Sequence, residues 1–328
     1  MVSGAELQRL KLFGIPAIKT IGDFSFYTHL SEYALYQFSK NAEFHYKVYE
    51  VEKKNGKKRK IAQPSKRLKG LQSWILTEIL NKLKSSDNCK GFEKGSNLRD
   101  NALPHVGANV VMTLDLSDFF PSVPARRVYG IFRSVGFNKL ISTVLTRICT
   151  YEEGLPQGAP TSPKLANLVL WTMDLRLQGY VGKRGITYTR YADDLSFSAN
   201  NPQKLLLSLP TIKRIVRDEG FELNADKTRI AGSARAKIVT GLIVNEDSVG
   251  VGGRTYKSLR AKIHHLTFSN NTDNFELLSK VRGWLSYLNS VDKIRYRRIQ
   301  QYIGKLVDLH PNSLIINLVR KRSKRSTY

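Results

Sequence analysis

The chain has 328 residues, with 53 Lys+Arg against 27 Asp+Glu and a formal charge of +26. That length buries a sizeable core in two or three lobes, and the positive excess draws polyanions, so nucleic acid is the expected partner. No apolar run approaches the ~18 residues of a membrane span, the first residues lack the pattern of a secretory signal, and the only two cysteines, Cys89 and Cys149, make neither a disulfide framework nor a thiolate zinc site; a reducing, cytoplasmic setting without a membrane is expected.

Residues 1–45 carry Tyr27, Tyr33, Leu35, Tyr36 and Phe38 at roughly helical spacing and are expected to pack as a small helical cap. Tyr46 to Val51 then alternates, Asn55-Gly56 suits a hairpin turn, and Arg59 to Pro64 returns, which predicts a basic β-ribbon. Charges on such a ribbon ordinarily serve solubility. Leu68 to Leu83 has the apolar spacing of an amphipathic packing helix. Asn101 and His105 follow; by residue type they read as a turn former and a satisfied polar residue.

Val110 to Asp115 is an apolar run that ends in an acid, the pattern of a buried central strand delivering Asp115 at its end. Alternation along that strand turns Asp118 away, and of the adjacent Phe119 and Phe120 at least one is expected to face the core. Leu155 to Pro163 holds three prolines and a glycine, a rigid turn before a helix that runs on through Leu177, with Ser162 as N-cap and Pro163 at the first helical position.

Thr187 to Ser198 reads as two short strands joined by a tight turn carrying Ala192, Asp193 and Asp194. Adjacent carboxylates repel. Either Asp-Asp merely fills a turn that Asp favours, or it holds a divalent cation, since hard ions take carboxylate oxygens. Gln203 to Glu219 is a second helix, Phe221 to Asn224 a further strand, and Lys227 follows a turn; Val239 to Val244 and Val249 to Val251 make another hairpin. The order strand, helix, two-strand hairpin, helix, strand is that of a split βαβ fold, which would gather Asp115, Asp193 and Asp194 on one sheet face. Such a set would hold two metal ions about 3.5–4 Å apart for an in-line displacement.

From Arg254 onward Lys+Arg number 16 and Asp+Glu four. Apolar spacing predicts three packed helices with Arg295, Arg297, Arg298 and Lys305 on their outer faces, His264 and His265 at a surface or groove, and a basic tail over Arg320 to Arg325.

The strand ending in Asp115 with Phe120 five residues on, the Leu155 to Pro163 loop with Gln157-Gly158, and Tyr191-Ala192-Asp193-Asp194 resemble, in this order, the motif set of reverse transcriptases. Asn101-Ala102-Leu103-Pro104-His105 is similar to the Asn-Ala-x-x-His signature of retron reverse transcriptases, and Val239-Thr240-Gly241 to their Val-Thr-Gly signature. The similarity runs from about Tyr46 to Trp284. It implies an α+β right-hand polymerase with fingers, a ferredoxin-like palm and a helical thumb. The expected divisions are 1–108 for the N-terminal helical cap and fingers, 109–252 for the palm (with part of the fingers at about 125–165), and 253–328 for the thumb with its basic C-terminal tail.

The resemblance further implies an RNA-directed DNA polymerase in which Asp115, Asp193 and Asp194 hold two Mg²⁺ ions, replaceable by Mn²⁺, and Lys227 gives a proton to pyrophosphate. Arg59 would grip the triphosphate of the incoming deoxynucleotide. Phe120 would pack under its sugar to exclude a 2′-hydroxyl, and Gln157, Gly158 and Tyr191 would line the same site. Val239, Thr240 and Gly241 would lie at the primer end, Arg295, Arg297 and Arg298 at the duplex backbone, and Asn101 and His105 would either touch RNA or brace the fold. Implied partners are a dedicated structured noncoding RNA, its DNA product and a retron effector protein; priming would start from a guanosine 2′-hydroxyl, giving a branched RNA–DNA product used in antiphage defence. With no nuclease domain expected, template removal would fall to a separate enzyme. The rival readings are a group II intron-like or other bacterial reverse transcriptase, which the two signatures argue against, and an RNA-binding scaffold without catalysis, which the three carboxylates argue against.

Overall fold

The computed structural model describes residues 4–52, 56, 58–268 and 274–319. The chain opens with α1 (Gly4–Leu12), α2 (Ile21–Thr28) and α3 (Glu32–Lys40). Thr20 and Asp23 cap α2 reciprocally, and the Ser31 hydroxyl accepts from Ala34 N at the start of α3. The helical cap expected here is present, but its tyrosines do not fill its core. Leu35 and Phe38 of α3 and Phe24 of α2 are buried, whereas Tyr27, Tyr33 and Tyr36 lie on the outer faces of these helices and are exposed.

The basic ribbon is β1 (Tyr46–Glu52) paired antiparallel with β2 (Lys58–Pro64), in register from Tyr46 opposite Pro64 to Glu52 opposite Lys58. Asn55 of the predicted turn and the neighbouring Lys57 lie outside the described residues. Next come α4 (Lys66–Glu78), with Leu68, Leu71 and Ile75 buried, and the short α5 (Leu98–Ala102).

β3 (Val110–Asp115) is buried along nearly its whole length. The helices α6 (Ala125–Val135) and α7 (Lys139–Cys149) follow, and then α8 (Ser162–Val169) and α9 (Trp171–Gly182) in place of one continuous helix, with Leu170 between them. The predicted cap is also off by one. Thr161 occupies the N-cap position without a side-chain cap bond, and Ser162, the first helical residue, instead donates its hydroxyl to the Pro156 carbonyl at 2.7 Å.

The hairpin strands β4 (Thr187–Tyr191) and β5 (Asp194–Ala199) lead to α10 (Pro202–Asp218) and β6 (Arg229–Ala231). These strands and β3 form one four-stranded sheet in the order β4-β5-β3-β6. The strand expected over Phe221 to Asn224 is reduced to a single bridge between Leu116 and Leu223, with Asn224 N bonded to the Asp115 carbonyl at 2.8 Å; the regular fourth strand begins five residues later.

A second sheet, β7 (Ile238–Val239), β8 (Leu242–Val244) and β9 (Val249–Gly250), is antiparallel throughout and has one strand more than the predicted hairpin. Three long helices close the chain: α11 (Gly253–Phe268), α12 (Phe275–Val291) and α13 (Lys293–Leu309), followed by the single turn α14 (Ile316–Val319). The three helices expected here are present, with Leu259, Ile263, Val281, Leu285, Ile299 and Ile303 buried and Trp284 37% exposed. The basic tail from Arg320 lies outside the described residues.

The chain divides into two compact units. One is made of residues 1–96, 112–197 and 203–229; the other of 97–111, 198–202 and 230–328. The first contains the helical cap, the ribbon and most of the four-stranded sheet. The second has its own apolar core, built by the three-stranded sheet and the terminal helices around Val239, Leu242, Ile263, Val281, Leu285 and Ile303. Among the described residues no helix is long and apolar enough to cross a membrane.

Candidate active site

Asp115 stands at the last position of β3, 8% exposed. One residue on, Leu116 N donates to the Asp193 carbonyl at 3.0 Å, so the end of β3 is tied to the turn that carries Asp193 and Asp194. All three carboxylates belong to the first unit. Asp194 opens β5, and Ala192 takes a left-handed backbone at φ +56°, which folds the two strands back within two residues.

The electrostatics of this corner are unfavourable to anions. Burial pushes the Asp194 carboxyl up to about 6, and the charges of Asp193 and Asp115 push in the same direction. Asp193 is likewise raised, first by burial, with Asp115 adding to it. The opposing cations are Lys227, Arg59 and Arg229. Lys227 lies closest: its Nζ reaches both oxygens of Asp115 at 2.8 Å.

Among the described residues no three His, Cys, Asp or Glu side chains close into a ready-made metal cluster, and Lys227 sits on Asp115 where an ion would. The chemistry of the donors nonetheless fits a hard cation. Two carboxylates from one turn and one from the neighbouring strand end offer only oxygen ligands, and a divalent ion would offset both the burial and the mutual repulsion that raise Asp193 and Asp194.

The surrounding residues anticipated from the sequence are placed as follows. Phe119 is buried and Phe120 half-buried, with ring centroids 5.0 Å apart. Asp118 is exposed at φ +42°; β3 has already ended, so the turn and not strand alternation carries it away. Phe92, which no sequence argument singled out, lies 6.3 Å from both Phe120 and Tyr191 and is 47% exposed at φ +59°. Its only prior signal is an aromatic next to a glycine, Gly91-Phe92.

Arg59 is exposed on β2 opposite Val51, near enough to stabilise the Asp193 anion. Its neighbour Lys60 is paired with Glu152 at 2.7 Å. The Gln157-Gly158 loop lies on the same strand: Ala62 N donates to the Gln157 carbonyl at 3.0 Å, and Gly158, at φ +140°, would bring a Cβ within 2.8 Å of the Ala62 carbonyl. Only glycine fits that approach.

Four of the residues expected at nucleic acid are buried or engaged within the protein. Asn101 and His105 are 0% exposed. Asn101 Nδ2 points to Thr240 Oγ1 at 3.5 Å, His105 Nδ1 pairs with Ser198 Oγ at 2.7 Å, and burial pushes His105 down to about 4, so it stays neutral. Each has an intrachain partner within the second unit, Thr240 and Ser198 respectively. Val239 is a core residue at 0% exposure; of its signature only Thr240, at φ +46°, and the exposed Gly241 reach the surface. Arg295 bonds Asp292 at 3.0 Å at the start of α13 and lies over the Tyr256 ring, whereas Arg297 and Arg298 are exposed.

The cysteines are free, and burial pushes Cys89 up to about 11 and Cys149 up to about 12, which keeps both thiols protonated and unreactive. His264 and His265 are exposed on α11, as expected, with His264 4.6 Å from the Phe268 ring.

Residues 51–257 match the family model described as reverse transcriptase (RNA-dependent DNA polymerase). The chain is 46% identical over 300 residues to the Retron Ec86 reverse transcriptase of Escherichia coli, covering 91% of this chain and 92% of that one. It is 34% identical over 313 residues to the Retron Mx65 reverse transcriptase of Myxococcus xanthus, covering 89% and 73%, and 33% identical over 298 residues to the Retron Mx162 reverse transcriptase of the same organism, covering 81% and 61%. With the paired aspartates, the Asp115 strand end and the ordered motifs already in place, the chain belongs to the retron reverse transcriptases and is an RNA-directed DNA polymerase.

Proposed function

We propose that this enzyme copies part of a dedicated, structured noncoding RNA into branched, multicopy single-stranded DNA, starting from a guanosine 2′-hydroxyl, and that the product serves antiphage defence in the cytoplasm together with an effector protein. In this reading the first unit supplies fingers and palm of a right hand, and the helical second unit supplies the thumb. The sheet order β4-β5-β3-β6, which sets the Asp115 strand beside the Asp193-Asp194 hairpin, supports a ferredoxin-like palm.

The observation that carries the catalytic part is the Leu116 N to Asp193 O bond, which holds the ends of β3 and the Asp-Asp turn together while burial and mutual repulsion raise Asp193 and Asp194. Asp115, Asp193 and Asp194 would hold two Mg²⁺ ions, with Mn²⁺ as a substitute. When bound, such a pair lowers the cost of ionising the attacking hydroxyl and of charge on the departing pyrophosphate.

The other residues position and discriminate. Arg59 presents a planar fork to the triphosphate, where bidentate contacts suit phosphate oxygens. Phe120 sets a ring under the sugar, Tyr191 and Gln157 line the same pocket, and Gly158 lets the loop backbone approach the nucleotide. Lys227, at hydrogen-bond distance from Asp115, would give a proton to the leaving pyrophosphate once freed from that carboxylate. Exposed Arg297 and Arg298 add to the sequence-independent attraction for the duplex backbone, and Thr240 and Gly241 form the surface turn offered to the primer.

Primer extension on an RNA template with Mg²⁺, comparing the parent with the Asp193→Asn, Asp194→Asn double variant, tests the chemistry: extension by the parent alone is expected, and equal extension by both sinks it. Sequencing the nucleic acid that co-purifies tests the retron part. One folded RNA with covalently attached DNA supports it, whereas mixed cellular RNA refutes it.

A further inference from the structure

Directly beneath the Asp193-Asp194 turn lies Arg190, the largest fully buried side chain described, at 0% exposure. Its Nε and Nη2 donate to the two oxygens of Asp174, each at 2.8 Å, and Asp174 is itself 0% exposed. Nη1 donates to Asn167 Oδ1 at 3.1 Å and to the carbonyl of Ala192 at 3.2 Å. Ala192 is the residue immediately before Asp193.

Asn167 carries the connection onward, donating from Nδ2 to the Gly91 carbonyl at 2.8 Å and to Glu93 Oε1 at 2.9 Å. The loop so held lies against the same turn. Lys90 N donates to the Arg190 carbonyl at 2.7 Å, and a Cβ on Gly91 would stand 2.5 Å from Ala192 N. Phe92, the aromatic beside Phe120 and Tyr191, is the next residue.

A buried ion pair is a poor way to fill a core, because desolvation offsets most of its Coulomb attraction and apolar residues of similar volume often do as well. An apolar pair could not, however, donate to the Ala192 carbonyl. Ala192 is held at φ +56°, a conformation that a residue with a Cβ adopts only when its surroundings impose it. The imposition comes from two sides: the Arg190 fork on its carbonyl and the Gly91 backbone against its amide.

We infer that Arg190 is a positioning residue for polymerisation, clamping the Ala192 carbonyl so that Asp193 and Asp194 are aimed at their ions, with Asn167 locking the Gly91-Phe92 loop into the same frame. Asp174 fixes the guanidinium, and the planar fork then serves three partners at once, which a lysine ammonium on a flexible stem does not reproduce. This rests on the reading of Asp193 and Asp194 as ion ligands, although the clamp itself is a property of the turn and is measurable without substrate.

The test is the full chain with the triple replacement Arg190→Met, Asp174→Leu and Tyr188→Phe, the last because the Tyr188 hydroxyl donates to Asp174 at 2.8 Å. Amide hydrogen exchange over residues 190–195 is read first, then Mn²⁺ binding by electron paramagnetic resonance in the absence of nucleic acid, then kcat and KM for deoxynucleotide. The expected result is an unfolding midpoint within a few degrees of the parent, clearly faster exchange in the turn, and Mn²⁺ affinity and kcat both lowered about 10- to 100-fold with little change in KM, the range seen when groups that orient metal ligands are removed. A folded triple variant with parental exchange and parental Mn²⁺ affinity overturns the inference. Should the triple variant fail to fold, Arg190→Lys keeps the charge and decides the matter: the same losses support the clamp, and full protection with full kcat overturns it. A parent that fails to extend primers while its turn exchange still depends on Arg190 upholds the clamp and contradicts the polymerase assignment alone.

Discussion

Asp194 sits in the folded protein with its carboxyl pushed up to about 6 from an ordinary value of 3.8, chiefly by burial and then by the charges of Asp193 and Asp115. A gap of roughly two pH units is worth about 3 kcal/mol at 1.36 kcal/mol each. Solvent reaches part of the side chain, so about half of that, ~1.5 kcal/mol, is the working figure. Because the folded value lies above the unfolded one, the folded state binds the proton more tightly, and stability falls as pH rises from 3.8 toward 6 and stays lowered above it. Asp194→Asn removes this cost. In Mg²⁺-free buffer the variant should melt about 3–6 °C above the parent at pH 8, at roughly 2–4 °C per kcal/mol for a unit of this size, and the gap should close toward pH 4. Mg²⁺ should raise the parent's midpoint more than the variant's, and primer extension by the variant should be lost. A variant destabilised more at pH 8 than at pH 4 would refute the reasoning, because it would mean that the Asp194 anion is favourably paired.

Three further outcomes follow from the same geometry. Phe120→Ala should raise ribonucleotide incorporation relative to deoxynucleotide; single-nucleotide extension with both substrates reads the ratio, and equal discrimination by variant and parent removes Phe120 from the sugar. Gly91→Ala places a methyl 2.5 Å from Ala192 N with backbone on both sides, so the loop or the turn must shift; a loss of about 1–3 kcal/mol in denaturant unfolding is expected, with slower nucleotide addition, and parental values for both would contradict the packing. Binding to an RNA/DNA duplex should weaken steeply with salt, each neutralised phosphate adding about −0.9 to the log–log slope as on duplex DNA; a flat titration argues against a backbone clamp.

Periodicity and turn chemistry made most of the first unit legible. The alternation of Tyr46 to Val51 and the apolar run into Asp115 are local patterns, and they became β1 and β3. The paired aspartates were legible because two acids on one turn of a chain with so few acids are costly. Side-chain partners distant in sequence were not legible. By residue type Asn101 and His105 read as a turn former and a satisfied polar residue, but nothing in the sequence names Thr240 and Ser198 as what they meet. Arg190 was hidden for the same reason: within Thr189-Arg190-Tyr191 a charge reads as a solvent-facing strand position, and only Asp174, on α9, makes its burial tolerable.

Two kinds of cation serve the three carboxylates, and their exposure separates their work. Arg190 is wholly buried and engaged by Asp174, so its charge is spent locally and what it offers the turn is direction through the Ala192 carbonyl. Lys227 has a side chain 53% exposed on a flexible stem, so it is free to leave. In the proposed reading, a divalent ion held by Asp115 would compete with that ammonium for the carboxylate, and the freed Lys227 would be the proton donor. Removing Arg190 should therefore misdirect the aspartates whatever the ionic conditions, whereas removing Lys227 should raise their repulsion only until a cation takes its place; the two losses differ in whether excess Mg²⁺ restores stability.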